Sequence, residues 1–266
     1  MENRTVKRRI WELDFLRGFA ILMMVFDHLM FDFAYLRGYF SNFYSVNNSL
    51  FNWLNDFGIM YWNSTLRLVG REFFVLLFLL ISGISFTFSK DNFRRGLKML
   101  IVAAVITIVT YVIDLLLNFG VLIVFGVIHM FAINTLLTVL IRKFIKSEII
   151  ILLLGMLILT FSFIYGLFTP PSVSLSFANL PKIILGLGRF GADHFGVFPY
   201  LGIILIGTVV GNIFYSNRVS LIPQVDLSQK NIFLVAGRYS LYVYVIHQPL
   251  VLLFVSIFAY IFGYRF

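Results

Sequence analysis

Seven stretches of this chain, near 13–35, 73–89, 97–117, 120–141, 149–168, 196–215 and 240–263, are apolar over roughly the length an α-helix needs to cross a bilayer. Inside hydrocarbon every backbone N–H and C=O must find a partner within its own segment, so runs of this length fold as helices. The gaps between them leave no room for a separate soluble domain, and no internal repeat is apparent. The spacing predicts an all-α, multi-pass membrane helical bundle of about seven transmembrane helices, forming one integral-membrane domain over 1–266. An eighth, re-entrant element is open at 181–191. The run at 232–264 exceeds one bilayer crossing and contains Pro249. A single tilted or kinked helix accounts for it, because proline is tolerated in transmembrane helices.

Charge supports that class and suggests an orientation. Charged residues make up 12% of the chain, against about 25% in a soluble protein. The net charge of +9 does not gather on a soluble module, so a nucleic-acid partner is excluded. With the N-terminus cytoplasmic, thirteen basic residues flank cytoplasmic ends (Arg4, Lys7, Arg8, Arg9, Lys90, Arg94, Arg95, Lys98, Arg142, Lys143, Lys146, Arg218 and Lys230) against six on the other side. Short loops rich in Lys and Arg stay inside, so the N-terminus is expected in the cytoplasm and the protein in the cell (plasma or inner) membrane. The two longest connections, 36–70 and 169–195, then face outward, and the first has the composition of an amphipathic surface helix. The basic start and apolar run resemble a signal peptide, but Asp27, His28 and Asp32 inside the run favour a retained first span. Cysteine is absent, which excludes disulfides, zinc–thiolate sites and cysteine nucleophiles.

Ionisable groups within such runs are costly and normally face a bundle interior or a wet cavity, so they mark candidate sites. The chain has four histidines, His28, His129, His194 and His247, each inside or beside an apolar run. Arg17 and His28 are eleven residues apart, within about 20° of a whole number of helical turns and roughly 16 Å along the axis. Asp14 and Asp32 fall on the same stripe. One face of the first helix thus carries Asp14, Arg17, His28 and Asp32. A purely structural account has Arg17 snorkelling to the interface and His28 making an interhelical hydrogen bond. Four ionisable groups on one stripe favour a functional one. Asp27 points elsewhere and suits a partner on another span.

The remaining candidates divide between chemistry and packing. His247, in His247-Gln-Pro249, lies mid-span on the last helix with Arg238 nine residues before it. His129 is placed near mid-membrane in the fourth run, where packing competes with substrate binding. Asp193 and His194 stand just outside the sixth run, as an acceptor site or a solvated pair. Asp114 in the third run suits an arginine partner or a proton path. Gly186-x-Gly188-x-x-Gly191 matches the dinucleotide fingerprint in letters but has no strand–helix context. No metal-ligand motif is present, and no metal is expected.

Three motifs together resemble a known family. They are Asp14-Phe-Leu-Arg-Gly-Phe-Ala-Ile with His28, Phe78-Leu-Leu-Ile-Ser-Gly-Ile-Ser-Phe86, and Gly237-Arg-Tyr-Ser-Leu-Tyr-Val-Tyr-Val-Ile-His-Gln-Pro249. In that order they resemble the transmembrane acyltransferase superfamily, and most the branch of the heparan-α-glucosaminide N-acetyltransferase catalytic domain with its short bacterial members. The resemblance implies an acyl-CoA-dependent O- or N-acetyltransferase. Acetyl-CoA or another acyl-CoA would be the cytoplasmic donor, and an extracytoplasmic glycan or small amine or alcohol the acceptor. On that reading His28, Asp32 and His247 are catalytic, Arg17, Asp14 and Arg238 hold the donor, and His194, Asp193 and His129 bind the acceptor. The lipid bilayer is a further partner, and a homo-oligomer is compatible with the sequence. The animal enzyme has more spans and a lumenal portion absent here, so its glucosamine substrate does not transfer. The competing class is a proton-coupled transporter using the same buried Asp, Arg and His residues; transporters often carry internal repeats.

Overall fold

A computed structural model describes residues 10–117, 120–191, 193–225 and 230–266. Its α-helices, in chain order, are α1 (Trp11–Ala34), α2 (Leu36–Tyr39), α3 (Phe43–Val46), α4 (Ser49–Trp62), α5 (Thr65–Phe86), α6 (Asn92–Leu117), α7 (Val127–Phe144), α8 (Glu148–Ile164), α9 (Leu180–Leu185), α10 (Tyr200–Phe214), α11 (Ile232–Arg238) and α12 (Ser240–Ile261). The described residues contain no strand beyond one isolated bridge, Ser172 with Arg189. The fold is all-α. By length and composition α5, α6, α7 and α12 can cross a membrane, whereas α8 and α10 are apolar but only 17 and 15 residues long. Arg4, Lys7, Arg8 and Arg9 lie outside the described residues. The chain divides into two compact units, one of Met1–Phe78 with Val219–Phe266 and one of Leu79–Arg218.

In the first unit α1 is the axis. Its first turn carries Glu12 and Asp14, where negative charge suits the helix dipole. Its last carbonyls, on Phe33 and Ala34, accept from Asn55 Nδ2 of α4 at 2.9 and 3.0 Å, which satisfies two groups a helix end otherwise leaves bare. The 36–70 connection contains helix α4, which is capped by Asn48, whose side chain accepts from the Leu50 and Phe51 N–H groups. Phe40, Phe43, Phe51 and Tyr264 pack with Val255 and Ala259 of α12 as a small core. Gly18 and Gly237 bring α1 and α11 together. A Cβ at Gly18 would overlap the Phe233 carbonyl, and one at Gly237 the Asp14 carbonyl. Small residues of this kind let helix backbones touch.

The second unit uses the same device. Gly83 and Gly207 face each other where α5 meets α10, and a Cβ at Gly202 would stand 2.8 Å from the Gly155 carbonyl of α8. Arg142, at the end of α7, forms two bonds to Glu148 (2.6 and 2.9 Å) and also reaches Thr208. That ties the end of α7 and the start of α8 to the middle of α10.

Three boundaries differ from expectation. The fourth helix starts at Val127, not near 120, because the segment before it is a loop tied to polar groups of α6. There the Val121 N–H donates to Asp114 Oδ1 (3.0 Å) and the Ile123 N–H to Thr110 Oγ1 (3.1 Å). Asp114 thus serves a loop, with no arginine involved. The run at 232–264 is two helices, not one: α11 ends at Arg238 and α12 begins at Ser240, with Pro249 inside α12. At 181–191 the helical part is only α9, six residues, closed by Gly186 in the left-handed region at φ 86°.

Candidate active site

Because α1 runs unbroken from Trp11 to Ala34, the stripe of Asp14, Arg17, His28 and Asp32 exists as a face of one helix. At its lower end Arg17 Nη1 donates to Asp14 Oδ1 at 3.1 Å. Arg238 Nε lies 3.8 Å from Asp14 Oδ2, and the Asp14 side chain is 12% exposed. Arg238 arrives there because α11 packs on α1 through Gly18 and Gly237, so the helix break at Tyr239 matters. On one continuous helix Arg238, nine residues before His247, would point to the opposite face from it. Two guanidiniums thus stand around one carboxylate. Below it Glu12 accepts from Ser220 Oγ (2.8 Å) and the Leu221 N–H (2.7 Å), which fastens the segment leading into α11.

At the upper end α12 brings His247 against His28. The rings meet edge to face, with centroids 4.7 Å apart and planes at 84°. His28 Nδ1 is 2.9 Å from the Met24 carbonyl and His247 Nδ1 2.6 Å from that of Tyr244. A carbonyl only accepts, so in the neutral rings Nδ1 carries the proton and Nε2 keeps the lone pair. Both imidazoles are therefore poised as bases at Nε2. His247 is 8% exposed and its Nε2 has no hydrogen-bond partner among the described residues.

Asp32 is fully buried. Its carboxylate accepts from the Tyr39 hydroxyl at 3.1 Å and from Gln248 Nε2 at 3.2 Å. Burial, and then the Asp32 charge, push the Tyr39 hydroxyl well above its ordinary pKa, so it stays protonated as a donor. Asp32 thus acts on α12 through Gln248, beside His247, and makes no direct hydrogen bond to His28. Gln248 Oε1 is itself buried without a partner. The role of Gln248 is signalled only by its place after His247. Tyr39 has no signal at all, because it lies beyond α1 in a connection the apolar pattern does not reach.

Asp27 turns away from that face, as its position on α1 requires. It holds Arg67 by Nε (3.0 Å) and Nη2 (3.1 Å) and accepts from the Tyr61 hydroxyl at 3.1 Å. The Arg67 guanidinium lies 3.5 Å from the centre of the Trp62 ring, so its charge is met on the other side by π density. Burial, reinforced by Asp27, raises the Tyr61 hydroxyl to about 12.

The other three candidates belong to the second unit. His129 is the third residue of α7, at a helix start and not mid-span, because the helix begins later than the apolar run suggests. Its Nδ1 accepts from the Gly126 N–H (3.3 Å) and its Nε2 bonds Thr107 Oγ1 of α6 (3.0 Å). Thr107 Oγ1 gives its own proton to the Ile123 carbonyl, so His129 Nε2 must be the donor. This tautomer is the reverse of that in His28 and leaves no basic nitrogen. Asp193 sets its carboxylate over Gly126, at the start of α7, where the helix dipole favours an anion. His194 Nε2 lies 2.9 Å from the Ile183 carbonyl, to which it donates. Burial lowers the His194 pKa and Arg189 adds to the fall, against the opposing pull of the Ile183 carbonyl and Asp193. Gly186 ends α9 and no strand leads into it, so the glycine pattern there forms a turn and not a phosphate loop. Among the described residues no three His, Asp or Glu side chains gather as a metal site.

Residues 9–249 match the family model described as heparan-alpha-glucosaminide N-acetyltransferase, catalytic. No curated protein and no solved structure matches the chain.

Proposed function

We propose, from the premise that this chain belongs to the heparan-alpha-glucosaminide N-acetyltransferase catalytic family, that it moves an acetyl group from cytoplasmic acetyl-CoA to the hydroxyl or amine of an extracytoplasmic glycan or small acceptor. Family membership makes it a membrane acetyltransferase and disfavours the transporter reading. The family match runs through residues of both units, which supports treating 1–266 as one catalytic domain. The same reading has about seven crossings, a cytoplasmic N-terminus and a plasma-membrane location, supported by the thirteen-to-six division of basic residues.

His28 is the general base. The observation that carries this is the bond from its Nδ1 to the Met24 carbonyl, which leaves Nε2 as the lone-pair nitrogen on the ionisable face of α1. Nε2 takes the proton from the acceptor O–H or N–H as that atom attacks the thioester carbonyl carbon. The C–S bond then breaks, and the imidazolium returns the proton to the departing CoA thiolate. His247, edge-on to His28, fixes the ring that does this, and Asp32 fixes α12 through Gln248. Arg17 and Arg238 fit the donor, because guanidiniums pair bidentately with phosphates.

The test is transfer of labelled acetyl groups from acetyl-CoA by purified protein in proteoliposomes, with donor and acceptor supplied on opposite faces. Transfer only when acetyl-CoA is on the face of the N-terminus agrees with the reading, and transfer with no CoA donor rejects it.

A further inference from the structure

The geometry points to a second, separate binding site, for the phosphate of an anionic phospholipid, at the end of the α6–α7 pair. It uses no residue of the proposed catalytic machinery and does not depend on acetyl transfer. The N-terminal end of α6 and the C-terminal end of α7 border a pocket of about 360 Å³ lined by Lys90, Lys143 and Lys146, with Arg142 in its wall. It is a shallow, open groove, wide enough to seat a phosphate group.

The charges in this pocket do not cancel. Arg142 is committed to Glu148 and Thr208, and the Asp91 carboxylate is taken by Arg94 at 3.1 Å. Lys146 Nζ donates to the Arg142 carbonyl, and Lys143 Nζ stands 5.9 Å from the Phe144 ring. Among the described residues none of the three lysines meets a carboxylate within salt-bridge distance, so three ammonium groups share one concavity. Their shared complement is a phosphate anion.

The surroundings select a lipid as its source. α6 and α7 are both long and apolar enough to cross a membrane, so this end of the pair lies at the membrane–water boundary. Phe93 lines the pocket, and from it Leu97, Ile101, Val105 and Ile108 continue along one side of α6, all left uncovered. A stripe at this spacing is one face of the helix. It offers an acyl chain a path that starts at the phosphate site, an arrangement a soluble phosphate has no use for. Basic pockets at helix ends on the cytoplasmic side are suited to anionic headgroups.

The experiment titrates purified full-length protein in detergent with phosphatidylglycerol or phosphatidylcholine and reads the first bound lipid by native mass spectrometry. Phosphatidylglycerol should bind at least tenfold tighter. At roughly fivefold per lysine, the combined Lys90→Gln, Lys143→Gln and Lys146→Gln variant should lose about a hundredfold of that affinity, and Lys98→Gln, on α6 outside the pocket, should lose none. The thermal midpoint of the triple variant without added lipid should match the parent protein, which separates lost binding from lost folding. Equal affinity for the two lipids, or a triple variant that keeps its preference, overturns the proposal. Displacement of phosphatidylglycerol by inorganic phosphate or CoA at equal concentration assigns the pocket to a soluble phosphate and overturns the lipid assignment.

Discussion

His28 and His247 stand edge to face, 4.7 Å between ring centres, each with Nδ1 against a carbonyl of its own helix. Two imidazoles from α1 and α12 therefore present their basic nitrogens from fixed rings. His28 is half-buried and His247 is almost wholly buried. In the proposed mechanism that difference divides the labour. A base must meet the acceptor and exchange its proton, which suits His28, while His247 is placed to hold it. Replacing His247 by Asn should lower turnover about tenfold while leaving acetyl-CoA affinity unchanged, read as the split between kcat and donor binding.

Arg17 and Arg238 converge on Asp14 from two helices. Arg17→Ala should weaken acetyl-CoA binding by tenfold to a hundredfold, the loss expected for a charged hydrogen-bonded contact worth roughly 1.5–3 kcal/mol. Calorimetry on the folded variant measures it. Unchanged affinity would return Arg17 to a snorkelling role at the interface.

Gly237 is where α11 presses on α1, and a Cβ there has nowhere to go but into the Asp14 carbonyl. Gly237→Ala should cost at least about 1–3 kcal/mol through overpacking, seen as a lower thermal midpoint. Because the crossing also sets Arg238 beside Asp14, the same variant should lose donor affinity. A stable Gly237→Ala protein with normal affinity would mean the crossing does not position Arg238.

The Asp27–Arg67 pair is mostly buried, with side chains 13% and 15% exposed. Asp27→Ala leaves a guanidinium without its counter-ion and should destabilise by about 3 kcal/mol. Removing Arg67 as well should recover part of that loss, and a double-mutant cycle measures the coupling. Additive effects would show that Trp62 and Tyr61 alone hold the two groups.

His194 carries a pH dependence of definite sign. Burial lowers its pKa below the ordinary 6.5, so as pH falls the unfolded chain takes up a proton before the folded one does. Stability from this group is complete above that value and is lost as pH drops from about 6.5 towards the folded-state value. The thermal midpoint should fall over that window, and His194→Gln should flatten the fall. An unaltered pH profile in the variant would place the dependence elsewhere.

What could be foreseen from sequence was whatever a helical period carries. The α1 stripe follows from spacing alone, since Asp14, Arg17, His28 and Asp32 recur at whole turns of a helix that does form. The meeting of His28 with His247 could not be foreseen that way, because periodicity says nothing of which helices are neighbours. Apolar composition is also blind to backbone breaks. Residues 232–264 read as one span because Tyr239 is apolar enough to continue it, although the chain interrupts its helix there and turns Arg238 back to Asp14. His129 departs from the expected mid-helix position for a related reason. The stretch from Val121 is apolar, but its N–H groups are taken by Asp114 and Thr110, so the helix starts only at Val127.

The most direct measurement is the turnover of His28→Asn in a protein shown to fold and to bind acetyl-CoA. Asparagine keeps a polar side chain of similar reach but has no basic nitrogen, so donor binding should be normal, stability near normal and kcat lower by about 10²–10⁴. A His28→Asn enzyme that acetylates its acceptor at near the parent rate would contradict a catalytic His28, and would pass the role of base to His247.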